Sequence, residues 1–192
     1  MSPQNVEPVR GVRTQLSLPG ARASERRAVD ERLSLRFPAA YALVARTWAR
    51  LPPRFWLRRA MLARALPRTC AAFNRRDFAA FLLGIDAGVE FRGARDLLGP
   101  DQAEVARGHE DYLEFFRYWI NAFDDLRYEP EEVLDLGDKF LVTVQLRGHG
   151  LGSGIAVSQR LFTFSHVQRG LVVRQENFLD RSKALEAVGL SE

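Results

Sequence analysis

The sequence predicts an α+β fold, a curved antiparallel β-sheet wrapped around helices and preceded by an Arg-rich helical extension. Three observations predict it. Residues 137–180, GDKFLVTVQLRGHGLGSGIAVSQRLFTFSHVQRGLVVRQENFLD, read as three consecutive strands joined by glycine-bearing turns, with apolar residues at every second position. Helical periodicity comes before this meander and not between its strands, as when helices lie on one face of a sheet. Charge also divides the chain: residues 1–70 hold 14 Arg against 4 acids, whereas residues 71–192 hold 14 basic against 20 acidic residues.

Taken in order, residues 1–23 carry Pro and Gly without periodicity and read as a mobile arm. Ser24 is placed to cap a short helix reaching about Leu35, and Pro38 to open a second over residues 39–50. In the second, Tyr41, Val44, Ala45 and Trp48 fall three and four apart on one apolar face. Pro52 and Pro53 stop it. A third helix begins near Arg54 with Phe55, Leu62 and Leu66 on one side. Pro67 is expected to kink or interrupt it, because the ring removes a backbone donor and crowds the preceding turn. A helix ending near Asn74 follows, then one from Asp77 that packs through Phe78, Phe81 and Leu82.

VEFRG, residues 89–93, is a short strand, and a loop runs through Gly99 and Pro100. From residue 104 the pattern turns helical again. Tyr112, Phe115, Phe116, Trp119, Ile120 and Phe123 form one broad apolar stripe, with Glu110 and Asp111 in the first turn, where acids complement the helix dipole. LRYEPEEVLDLGD is a polar strand leading into the meander. The chain therefore divides into an arm and Arg-rich helical extension, residues 1–66, and a domain, residues 67–192.

Composition excludes several classes of function. With 192 residues there is room for one domain and an appendage. A single cysteine, Cys70, allows no intrachain disulfide and no cysteine-based metal cluster, and it reads as a small buried side chain. No segment has the apolar length of a membrane span, and MSPQNVEPVR lacks the apolar core of a secretory signal, so the cytoplasm is the expected compartment. His109, His149 and His166 are scattered without a metal-ligand spacing. GLGSG, residues 150–154, is a hairpin turn; with no helix after it, it is not a phosphate loop.

Several blocks then arrive in a familiar order: AFNRRDF, VEF, RGHEDYLEFF, EEVLDLGDKFLV and VQRGLVVRQENFLDRSKALEAVGL. Over residues 69–190 the chain resembles the SnoaL-like branch of the nuclear transport factor 2-like superfamily. MSPQNVEPVR also resembles the usual start of these proteins, as though residues 11–60 were an insertion. The resemblance implies a cone, in which a curved antiparallel sheet and three helices enclose a pocket. The superfamily includes ketosteroid isomerases, polyketide cyclases, limonene-epoxide hydrolases, dehydratases and non-catalytic modules, so fold alone decides no activity. The isomerase pattern places an acid base where this chain has Phe91. Its oxyanion hole would fall near Thr69 and Arg160, neither an acid nor a phenol. All three parts of that chemistry are missing, and isomerase activity is rejected. The Asp-Arg-Asp relay of epoxide hydrolysis cannot be assembled either, and the catalytic residues stay unassigned.

Strand alternation, with the family register choosing the side, estimates what faces inward. On the first meander strand Phe140, Val142, Val144 and Leu146 share a face; on the second, Arg160, Phe162, Phe164 and His166; on the third, Val173, Gln175, Asn177 and Leu179. By resemblance these three sets line the pocket. Arg160, Phe162, Gln175 and Asn177 would then stand against a wall of Phe91, Phe116 and Trp119, a mostly apolar cavity with sparse polar groups. Structural alternatives stay open for each. Arg160 can pair with an acid at the cone mouth, Gln175 and Asn177 can satisfy diverging backbone, and Trp119 can be core.

The expected function is binding of a small apolar, oxygenated molecule, with or without cofactor-free isomerase, cyclase or dehydratase chemistry. No metal or cofactor is expected. The alternative is a non-catalytic dimerisation or interaction module with its pocket packed shut. A homodimer through the convex sheet face is expected by resemblance. The extension is expected to dock on the acidic domain through Trp48, Phe55 and Trp56. A dimer-stabilising arm and contact with an anionic membrane surface are the lesser readings, and nucleic acid is not expected, since no recognition motif is present.

Overall fold

A computed structural model describes residues 14–19, 26–94 and 104–190. Strand β1 (Thr14–Ser17) precedes three helices, α1 (Val29–Arg36), α2 (Pro38–Ala49) and α3 (Trp56–Asn74). A short helix, α4 (Phe78–Phe81), runs through a 3-10 turn into β2 (Ile85–Arg92), followed by β3 (Val105–Arg107) and α5 (Gly108–Asn121). The meander is β4 (Arg127–Asp135), β5 (Lys139–His149), β6 (Ala156–Gln168) and β7 (Leu171–Phe178), and α6 (Arg181–Ala187) follows it. Ser24, Gly99 and Pro100 lie outside the described residues.

The strands form one seven-stranded sheet in the order β1-β4-β5-β6-β7-β2-β3. Its pairs are antiparallel except β2 with β7, which run parallel, so the sheet is mixed where alternation alone predicts an antiparallel one. The parallel pair follows from connectivity. Helix α5 carries the chain from β3 at one edge across to β4 near the other, and the meander then returns to meet β2. Helices α2, α3 and α5 lie on the inner face of the sheet, as expected for an α+β cone.

Three local expectations change. Part of the supposed arm is strand β1, paired with β4 from Thr14 opposite Asp135 to Ser17 opposite Glu132. The alternation Leu16-Leu18 was its signal, and Leu18 is buried with Leu62 and Val133. Helix α3 runs unbroken through Pro67, so the boundary between extension and domain falls inside one helix. The apolar side of that helix, Leu62, Leu66 and Phe73, packs into the cone on both sides of the proline, and this burial outweighs the lost backbone bond. Helix α1 starts at Val29, where the Glu31 carboxylate accepts from the Ala28 N–H at 2.7 Å.

The face of the sheet away from α3 and α5 is apolar too, because α6 covers it. Leu134, Leu141, Phe162 and Phe164 meet Ala184, Leu185 and Val188 there. Asp180 starts this helix, its side chain accepting from the Lys183 N–H at 3.0 Å.

A buried ion pair locks the extension to the cone. Arg58 of α3 is 1% exposed and Asp135 of β4 is fully buried. The guanidinium donates Nε–H to one carboxylate oxygen at 2.7 Å and Nη2–H to the other at 2.9 Å. Its remaining N–H groups donate to the carbonyls of Ala49, Leu51 and Gly137, while its plane sits over the rings of Trp48 and Phe140. The pair ties the C-terminal end of α2 and the β4–β5 turn to one point. A second tie joins Arg27 to Asp77 through two hydrogen bonds of 2.6 and 2.8 Å.

Two predictions follow from these ties. Arg58→Met leaves an unpaired buried carboxylate and is expected to cost about 3–5 kcal/mol in denaturant unfolding, whereas Arg58→Met with Asp135→Leu recovers most of it. Equal losses in the single and double variants would refute the pairing argument. The Arg27 guanidinium holds the Asp77 carboxyl at about 2, below its ordinary 3.8. Its contribution is therefore complete above the ordinary value and disappears as pH falls toward 2. Arg27→Gln is expected to flatten the acid limb of a stability-versus-pH curve in that window; an unchanged limb would remove Asp77 from the acid response.

Candidate functional site

The helical layer and the inner sheet face enclose a cavity of about 180 Å³. Helix α3 supplies one wall through Leu62, Leu66, Thr69, Cys70 and Phe73, spaced three and four apart along the helix. Phe81, Tyr112, Phe116 and Tyr128 make an aromatic wall. The sheet floor is Phe140, Val142 and Val144 of β5, Thr163, Ser165 and Val167 of β6, and Gln175 and Asn177 of β7. Tyr41 and Trp48 of α2 close the top, so a helix of the extension is part of the site.

The seating of α2 depends on Gly170 in the β6–β7 turn. This glycine has φ +83°, and a Cβ there would lie 2.3 Å from the backbone of Ala45. Any larger residue would lift the helix off the cone. The Tyr41 hydroxyl reaches over Gly84 on the opposite rim.

Strand register sets the polar groups. Thr163 stands opposite Asn177 and Ser165 opposite Gln175 across the β6–β7 ladder. The Thr163 hydroxyl donates to the Asn177 amide oxygen at 2.9 Å, and the Tyr112 hydroxyl donates to that of Gln175. The lining of the cavity contains no Asp, Glu, His, Lys or Arg among the described residues. Burial pushes the Cys70 thiol up to about 12. It also raises the Tyr112, Tyr128 and Tyr41 phenols above their ordinary value. Every titratable group in the cavity is thus neutral and protonated at neutral pH. The arrangement can donate and accept hydrogen bonds around an apolar body, and among the described residues of its lining no group is deprotonated at neutral pH.

Of the residues expected in the pocket, Phe116, Gln175 and Asn177 line it. Phe91 lies behind the aromatic wall, with ring centroids 4.6 Å from Phe115 and 5.1 Å from Tyr112. Trp119 stacks on Phe123 farther along α5. Arg160 is exposed and pairs with Glu131 at 2.9 Å, the structural alternative. Phe162 points to the other face, under α6. The inward set on β6 is therefore Thr163, Ser165 and Val167, because Thr163 pairs with inward Val142 and Phe162 with Thr143. Alternation groups the β6 residues correctly but does not choose between its two faces, and the side taken from the family resemblance is the one that α6 covers. Tyr112, Tyr41 and Trp48 stand on the helix faces that the sequence marks as apolar, while Thr69 and Cys70 continue the Leu62-Leu66 face beyond Pro67, where a kink or interruption is expected.

The histidines lie elsewhere. His109 meets the Ile85 carbonyl at 3.1 Å, His149 pairs with Asp125 and His166 with Asp138. No group of three or more His, Cys, Asp or Glu that could hold a metal ion occurs among the described residues.

Comparison with known proteins agrees with this geometry. The SnoaL-like domain family matches residues 66–175. An NTF2-like protein of unknown function from Burkholderia pseudomallei superposes with a TM-score of 0.55 at 19% identity, over 67% of this chain and 95% of that one. IdmH, a candidate polyketide cyclase from Streptomyces antibioticus, does so with 0.53 at 16% identity, over 67% and 98%. A candidate SnoaL-like polyketide cyclase from Jannaschia sp. gives 0.51 at 19% identity, over 69% and 94%. These likenesses show the fold. No curated protein matches the chain by sequence.

Cys70 is the chain's single cysteine, so its chemistry reads out the cavity directly. With burial raising its thiol, Cys70 is expected to react with a disulfide reagent at pH 8 at least about tenfold more slowly folded than unfolded. Comparable rates would show that the thiol is open to solvent.

Proposed function

The chain belongs to the SnoaL-like domain family, and from that membership we propose that it binds a small, uncharged, mostly apolar molecule bearing one or two oxygen functions in the cone cavity. The observation that carries this reading is the lining itself: an aromatic and aliphatic wall interrupted by neutral hydrogen-bonding groups, with no charged side chain among the described residues. A bare charge would be stranded there without a counter-ion. A carbonyl or hydroxyl would find partners in the Gln175 and Asn177 amides, whose oxygens already accept from Tyr112 and Thr163 and whose N–H groups are donors.

Volume limits the size. A cavity of about 150 Å³ holds one benzene-sized molecule, and this one, at about 180 Å³, suits a single substituted ring rather than a fused polycycle. An open cavity rather than a packed one is supported by Phe162 and Phe164 lying under α6 and by Trp119 lining no part of the space. A second reading, cofactor-free chemistry on the same ligand, is favoured by the candidate polyketide cyclases among the structural neighbours. It would require Tyr112 or Tyr128 to give up a proton against the direction in which burial pushes them.

Thermal unfolding with single-ring probes tests the binding reading. Phenol, benzaldehyde and cyclohexanone are expected to raise Tm in a concentration-dependent way, and benzoate is not. Gln175→Leu is expected to weaken the oxygenated probes about tenfold while leaving toluene unaffected. Ser165→Phe, which fills the floor, abolishes all of these shifts. If no neutral probe shifts Tm, or Ser165→Phe binds them equally, the cavity is not the binding site.

A further inference from the structure

The outward face of the extension is built for something the cone does not supply. Between Glu31 and Asp77 the sequence contains eleven arginines and no acid. Arg58, Arg64, Arg68 and Arg75 are taken up in ion pairs with Asp135, Asp30, Glu31 and Asp77, and Arg76 donates to the Leu126 carbonyl. Arg32, Arg36, Arg46, Arg50, Arg54 and Arg59 are exposed and form no ion pair with an acid among the described residues.

Apolar side chains are interleaved with these arginines and also face solvent. On α1, Val29, Leu33 and Phe37 fall four apart along one outward stripe and are 72%, 54% and 56% exposed. On α2, Leu43 is 67% exposed, opposite the Ala45 and Trp48 face that caps the cone. Trp56, expected as an anchor onto the domain, is instead 70% exposed at the start of α3, with Phe55 beside it. Trp48 alone of the three expected anchors is turned inward, over Arg58 and Phe140. Arg46, Arg50 and Arg169 also line an open cleft of about 340 Å³, together with Asp138.

We propose that α1, α2 and the start of α3 form a docking surface for an anionic lipid bilayer. Exposed Leu, Val, Phe and Trp side chains enter the acyl boundary while the arginines meet lipid phosphates. Charge decides the occupant. A second copy docking face to face would set unpaired arginines against unpaired arginines, whereas an anionic surface neutralises them all. Nucleic acid would satisfy the arginines but has no place for the Val29-Leu33-Phe37 stripe. The association is peripheral, since no helix among the described residues is long and apolar enough to cross a membrane.

Cosedimentation of the full chain with phosphatidylcholine vesicles, with and without phosphatidylglycerol, tests this. Binding is expected to the anionic vesicles and to be lost on pure phosphatidylcholine. Arg46→Gln with Arg50→Gln is expected to weaken it about thirtyfold. Leu33→Ser with Leu43→Ser, at exposed positions that leave the core intact, is expected to abolish the salt-resistant part. Brominated lipid should quench Trp fluorescence in the native chain and fail to do so in Trp56→Phe. Three outcomes would overturn the proposal: no binding to anionic vesicles at low salt; binding to duplex DNA at least as tight as to vesicles; or a solution dimer that dissociates in the Leu33→Ser, Leu43→Ser variant.

Discussion

A guanidinium cannot shed its proton at any pH a protein meets, so an arginine inside a protein must be given partners or be left in water. Arg58 takes the first course completely. Its five N–H groups meet the two oxygens of Asp135 and the carbonyls of Ala49, Leu51 and Gly137. Those partners belong to three separate pieces of the fold: β4, the end of α2 and the β4–β5 turn. Removing either ion would leave the other stranded in a dry interior, a penalty larger than most single contacts provide. The geometry of the extension, and with it the roof of the cavity, follows from satisfying this one group.

Because the C-terminal end of α2 is fixed there, its inward face is committed to the cone. Ala45 can approach the β6–β7 turn only because residue 170 is glycine. That approach brings Tyr41 and Trp48 over the sheet floor. The extension is thus not an ornament on a finished domain. The helix that begins in it, α3, continues without a break into the domain and supplies Leu62, Leu66, Thr69, Cys70 and Phe73 to one continuous wall.

Much of this was legible in the residues, and the failures share a physical cause. The meander and the aromatic stripe on α5 follow from period and spacing, which are local properties, whereas the inward placement of Gln175 and Asn177 rests on the family resemblance. At Pro67 the lost backbone bond, about 3 kcal/mol, is outweighed by the burial of Leu62, Leu66 and Phe73 on either side, so the helix is not interrupted. Phe162 misled because alternation reports that a face is apolar and not which element covers it; α6 arrives only after the meander ends. Phe91 and Arg160 were placed by analogy with a catalytic pattern this chain lacks, and the structure gives them a ring cluster and a surface ion pair. The role of Trp48 could be read from its helix face, but Trp56 on the next helix could not, since exposure depends on where the extension docks.

The charge asymmetry of the chain and the neutrality of its cavity are two sides of the same constraint. The stretch between residues 31 and 77 is dense in arginine, yet α2 and α3 place only Tyr41, Trp48, Thr69, Cys70 and apolar side chains against the ligand space. Each arginine on these helices is either paired or turned outward, since one left in the cavity without a carboxylate would be insupportable. The same helices therefore have an uncharged inner face and a cationic outer one, by the sorting that desolvation imposes. Among the described residues the inner face offers only neutral hydrogen-bonding groups, with the Tyr112 and Thr163 hydroxyls already donating to the Gln175 and Asn177 amides.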